Sequence, residues 1–304
     1  SASVTTSRWA TSSNPLHRAQ SVRSRRASTQ VMVLDSQRIG LQFDQAGLLG
    51  LPGTQRFSLS EPGFDIPDCS PELLAIAQRG WEDRLRSEYV GVMVMRRFHG
   101  LLVDLNAPMD LQEVGIMLTL HEQQHTRLCA AAAQAIGSDL HLGFDLAELQ
   151  QARTHEPLEE QLWMMIIGTL ICGEGVALEL LKQSLTELPR TGFCEVLRSI
   201  ARDEVLHASL GFKLLVETRN STTGWLTYPG DDWVKGLVTQ QLGAMRLRDV
   251  VEADEAAFFE TPDQADQMRQ LGIPNSQDFV GAYHRAIDTV IPAKLKQAGV
   301  DLSG

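Results

Sequence analysis

Several absences narrow the reading of this 304-residue chain before any motif is considered. Aromatic residues make up only 6%. The four cysteines (Cys69, Cys129, Cys172 and Cys194) form no C-x-x-C pair, and three lie in apolar helical stretches. A disulfide framework is denser and built in loops, so they are expected as reduced thiols in a cytosol-like compartment. No uninterrupted apolar run approaches about 18 residues, so no membrane span is expected. There is no excess of basic charge: 38 acidic against 27 basic side chains give −11, which argues against a nucleic-acid footprint. What is present is a globular mix, 43% hydrophobic and 21% charged, able to build a core at this length.

The charge is unevenly placed. Residues 1–30 carry Arg8, Arg18, Arg23, Arg25 and Arg26, eight serines, four threonines and no acid, leaving 22 basic and 38 acidic side chains, or −16, on the rest. A disordered basic arm is the simpler reading, and an organelle transit peptide has the same composition. Cytoplasmic localisation is expected, with organelle import through residues 1–30 as the alternative. Residues 31–70 read as irregular, punctuated by glycine and proline. A strand is admissible at 31–34, but no sheet is expected.

From Ser70 the pattern is helical. Ser70 is an N-cap before Pro71, and the first helix runs to about Val103. Asp110 with Glu113 resembles a capping box and opens a second helix that ends at Gly137. Residues 137–156 read as a loop-like crossover with at most one helical turn near 146–151. A third helix spans about 157–188, a fourth about 193–219, and more helix is expected at 231–259 and 276–298. Two tight hairpins joined by one long crossover is the connectivity of a ferritin-like four-helix bundle within an all-α fold. The expected organisation is a basic arm (1–30), an irregular segment (31–70), a four-helix core (71–219) and a helical C-terminal extension (220–304).

Two Glu-x-x-His units stand out: Glu122-Gln-Gln-His125 on the second helix and Glu204-Val-Leu-His207 on the fourth. Residues three apart share a helix face, so each unit aims a carboxylate and an imidazole at one point. The first and third helices offer Glu88 and Glu174 within apolar sequence, where a lone carboxylate is costly and a partner is expected. One Glu from each of two helices plus Glu-x-x-His from two others forms a di-metal carboxylate site. On these residues the segment 71–219 resembles the ferritin-like carboxylate-bridged di-iron proteins, in particular their oxygenase and desaturase branch.

The resemblance implies two iron ions, with manganese as an alternative in one or both positions, held by Glu88, Glu122, His125, Glu174, Glu204 and His207. Glu122 and Glu204 would bridge or chelate. It also implies O2 as co-substrate, a small or carrier-protein-bound substrate that is hydroxylated, desaturated or N-oxygenated, and an external electron donor such as a ferredoxin or reductase. A homodimer is compatible with it; nucleic acid and membrane partners are not expected. Asp203 is similar to the family's acid that hydrogen-bonds a metal-bound histidine of the other pair, here His125. The matching place before Glu122 holds His121, which departs from the pattern.

Further departures separate the chain from individual subclasses. Cys129 stands where a radical tyrosine would follow the first motif, Leu178 stands at the threonine position of bacterial multicomponent monooxygenases, Ala177 at that of acyl-carrier-protein desaturases, and Ile200 occupies the place of an additional histidine ligand of arylamine N-oxygenases. Two other functions stay open: a ferroxidase without organic substrate, and a zinc hydrolase, because His121-Glu122-Gln-Gln-His125 also matches H-E-x-x-H. Gly173 and Gly175 beside Glu174 suit either a π-bulge or close helix packing. His99 reads as a core or edge histidine or as part of a channel, and Trp163 as core.

Overall fold

The computed structural model describes residues 31–35, 62–145, 155–220, 224–246, 261–274 and 276–302. They are mostly helical, with one small two-stranded sheet. The proposed arm at 1–30, most of the irregular segment, the turn considered near 146–151 and the helix expected beyond 246 lie outside the described residues.

Helix α1 (Pro71–Asp104) starts where the Ser70 side chain accepts a hydrogen bond from the Leu73 amide, with proline in its first turn. It stops before Asn106, whose φ of 53° cannot continue a helix. Helix α2 (Met109–Ala135) does not begin with the expected Asp110–Glu113 box. Pro108 holds the cap position, and Asp110 instead accepts from the neighbouring Leu111 amide. Gly115 lets α2 approach α1 closely: a Cβ there would lie 3.2 Å from the His99 Cα. His99 is half-buried at that crossing. Gly137, at φ 92°, ends α2.

The crossover is not all loop. Strand β1 (Val31–Leu34) pairs antiparallel with β2 (Leu142–Asp145), Leu34 opposite Leu142 and Val31 opposite Asp145. This sheet was not expected, because four residues with a distant partner leave no local signal. β2 is held to α1: Arg86 donates to the Gly143 carbonyl at 2.6 Å, and the Tyr89 and Phe144 rings lie 5.2 Å apart.

Helix α3 consists of Leu158–Met165, a π-helical segment Ile166–Gly173, and Glu174–Glu187. By length and composition it could cross a membrane, which a search for uninterrupted apolar runs overlooks; half of its most apolar window is buried inside the fold. Helix α4 (Gly192–Arg219) starts where the Thr191 hydroxyl accepts from the Cys194 amide. Helix α1 packs on α2 and on the start of α3, α2 packs on α4, and α4 packs on α3.

Helices α5 (Asp231–Arg246), α6 (Pro262–Gln270) and α7 cover this arrangement. α7 comprises Ser276–Arg285, a π-helical segment Ala286–Val290, and Ile291–Gln297. α5 and α7 pack on α3, and Trp81 of α1 donates to the Leu271 carbonyl just beyond α6 at 2.8 Å. Trp163 is a core residue whose indole donates to the Thr227 carbonyl at 2.8 Å. All four cysteines are free thiols.

The apolar interior falls into two clusters. One includes Leu85, Leu128, Cys129, Leu197 and Ala201; the other includes Met95, Leu118, Ile171, Val176 and Leu210. On α2 and α4 the switch from one cluster to the other falls around Glu122 and His125 and around Glu204 and His207; on α1 it falls between Met93 and Met95, beyond Glu88. A polar layer therefore separates two oily cores.

Candidate metal centre

Each of the four helices contributes to that layer. Glu122, His125, Glu204 and His207 are almost fully buried, and Glu88 and Glu174 are partly buried. The turn-by-turn spacing of each Glu-x-x-His unit places both side chains inward, and the antiparallel packing sets the two units face to face.

The distances bring the groups to common points. His125 Nδ1 lies 3.3 Å from Glu88 Oε2 and 3.5 Å from Glu204 Oε1. His207 Nδ1 lies 3.3 Å from Glu122 Oε1 and 3.1 Å from Glu204 Oε2. Glu204 thus spans both imidazoles with its two oxygens. Two triplets, Glu88–Glu122–His125 and Glu122–Glu204–His207, each have donor atoms within 4.8 Å of one another, and Glu122 belongs to both. Glu174 is in neither triplet. It lies against Glu204 within hydrogen-bond reach, at the side of the second.

Close approach does not satisfy these atoms. His125 Nδ1, His207 Nδ1 and Glu204 Oε2 are buried without a hydrogen-bond partner, a costly condition for polar groups. Donors about 2.1 Å from one ion lie about 3.0 Å apart at a right angle and about 3.4 Å apart at the tetrahedral angle. The observed separations of 3.1–3.5 Å match that range. The donor set of imidazole and carboxylate suits iron, manganese or zinc. By geometry and chemistry these residues fit a metal.

The electrostatics of the cation-free chain agree. Burial, reinforced by Glu204 and Glu88, pushes the Glu122 carboxyl up to about 7. Burial and the same neighbourhood of carboxylates raise Glu174 well above the ordinary range. Burial disfavours protonation of His125 and His207, but the carboxylates around them outweigh it and hold both well above the usual imidazole value. Glu204 goes the other way: burial is outweighed by the adjacent His207 imidazole, and its carboxyl is lowered. Without a cation, the layer can be neutral only by holding protons.

The outer nitrogens of the two imidazoles are also engaged. His125 Nε2 lies 3.3 Å from Asp203 Oδ2, the partnership expected from the sequence. His207 Nε2 lies 3.3 Å from His121 Nδ1, with the two rings within 9° of parallel. His121 therefore takes the symmetric place without being an acid. It is absent from both ligand triplets, so the two histidines of H-E-x-x-H do not converge on one ion position.

A further feature escaped the sequence. Gly91, one turn beyond Glu88, leaves room for Glu122: a Cβ there would lie 2.7 Å from the Glu122 carboxyl carbon. A glycine at i+3 from a candidate ligand is the signal that would have found it. Gly173 and Gly175 divide their two readings. Gly173 ends the π-helical segment immediately before Glu174, and Gly175 packs on Ile291, whose side chain would be 3.3 Å from an added Cβ. Cys129 is fully buried, and burial raises its thiol pKa further.

The chain is thus a mostly helical protein with Glu/His groups within metal-binding distance of one another. No family model, curated protein or solved structure matches it.

Proposed function

We propose that the polar layer is a ferritin-like di-metal site and that the protein is an O2-dependent di-iron oxidase or oxygenase. The observation that carries the metal reading is the set of three buried, unpartnered donor atoms, on His125, His207 and Glu204, facing carboxylates at ligand-to-ligand distances. Glu88 and His125 would hold one ion, and His207 with Glu174 the other. Glu122, shared by both triplets, and Glu204, which spans both imidazoles, would lie between them. The four-helix packing with its long second connection supports a ferritin-like arrangement.

Bound iron would supply electron transfer to O2. The chain's own contributions are separate. Asp203 orients His125 through Nε2. Gly91 leaves space for the Glu122 carboxylate. The two apolar cores above and below keep water from the layer, which strengthens its electrostatics. A small or carrier-bound substrate and an external electron donor complete this proposal.

The test is anaerobic loading with ferrous iron, followed by air. Two irons per chain should bind, O2 uptake should stop near that stoichiometry, and Glu122→Ala should abolish both. Accumulation of many irons per chain would instead indicate storage. Retention of zinc with indifference to O2 and reductant would indicate a hydrolase. Fewer than two metals in the wild type would sink the proposal.

A further inference from the structure

The two halves of the layer differ in their outer carboxylates, with Glu88 facing His125 and Glu174 outside both triplets, and they differ again behind the imidazoles. Asp203 precedes Glu204 and reaches the histidine of the other unit; His121 precedes Glu122 and does the same. The distances are equal, 3.3 Å, but the chemistry is not. An ionised carboxylate can only accept a hydrogen bond, whereas a neutral imidazole nitrogen either accepts or donates.

This difference decides which imidazole nitrogen is free to bind a metal. Asp203 is held on both sides: Oδ1 faces the Arg202 guanidinium at 3.4 Å, and Oδ2 faces His125 Nε2. In the neutral, metal-binding form of His125 the remaining proton must then sit on Nε2, which leaves the Nδ1 lone pair directed at Glu88 and Glu204. His207 has no such restriction. If Nε2 donates to His121 Nδ1, the His207 Nδ1 lone pair is free. If His121 donates instead, the His207 proton sits on Nδ1, between Glu122 and Glu204, and closes the metal position. A carboxylate behind a ligating imidazole also makes it a stronger donor, and removing such partners typically lowers metal affinity about 10–100-fold.

We infer that the two metal positions are inequivalent: the one at His125, backed by Asp203, fills first and tightly, and the one at His207, backed by His121, fills second and exchanges. His121 and Asp203 are positioning residues here, and the inference rests on the di-metal reading above.

Titration of the full-length, metal-free protein with Mn²⁺ at fixed pH, reading free Mn²⁺ by electron paramagnetic resonance, tests it without any turnover. The wild type should bind two ions in steps separated about 10–100-fold. His121→Asp should tighten the second step and close the gap. Asp203→Asn, nearly isosteric, should weaken the first step and close it from the other side, and this variant decides the matter if His121→Asp does not fold. Two equal steps in the wild type, or a gap that neither substitution narrows, overturns the inequivalence while leaving the di-metal site standing. Binding of no ion overturns both.

Discussion

At the scale of the residue, the layer behaves as a store of protons that a cation must displace. Glu122 is held at about 7 against an ordinary 4.5. Between those values the unfolded chain ionises this carboxyl while the folded chain keeps it protonated. Stability of the metal-free protein therefore falls as pH rises through that window. His125 and His207 act in the same direction: their stabilising protons are fully present below 6.5 and are lost as pH rises through their raised folded values. Thermal melts of the metal-free protein should drop from pH 5 to 8, and Glu122→Gln should flatten the slope; a pH-independent melting temperature would contradict this. Glu88, Glu122, His125, Glu204 and His207, read from sequence as candidate ligands, fall in the two triplets, whereas Glu174 stands outside both. Within each Glu-x-x-His unit helical spacing is what made the pair legible. His121 behind His207 was not, because that contact depends on how far apart two helices lie. Gly91 was invisible for the same reason: its lack of a Cβ matters only to a side chain on another helix.

At the scale of the element, α3 is closely packed against α4. Its π-helical segment lies under α4 where Gly211 faces it. A Cβ on Gly211 would come within 2.8 Å of Ile171 Cγ1 and 2.9 Å of Leu170 Cβ. Gly211→Ala should cost about 1–3 kcal/mol through overpacking, read as a lower midpoint in urea, whereas Gly236→Ala on α5, with open space at that position, should not destabilise. The ends of α1 to α4 were readable to within a few residues because Ser70, Gly137 and the Pro189–Gly192 turn are strong local signals. α6 was missed although Thr261 and Gln264 form a full capping box. Only Met268 of that helix is buried, so the apolar period that reveals a helix is absent. The sheet was missed because its strands are four residues long.

At the scale of the whole molecule, a polar stratum between two oily cores is a weak plane unless something binds it together. Cations that bind only the folded chain should stabilise it by about 2.7 kcal/mol for each site held at a hundredfold excess over its Kd. Calorimetry should therefore show the melting temperature rising by at least several degrees on loading and falling back with a chelator; equal values would refute a structural coupling. The strand pair has a consequence for the order of events in folding. Val31 and Asp145 are partners across more than a hundred residues of chain that include all of α1 and α2. Closing so large a loop for eight residues of ladder is entropically unfavourable until the α1–α2 hairpin has shortened the distance. The sheet is then a late arrival in folding and an early departure in unfolding. Its amides should exchange with solvent through local openings that leave the four-helix core intact.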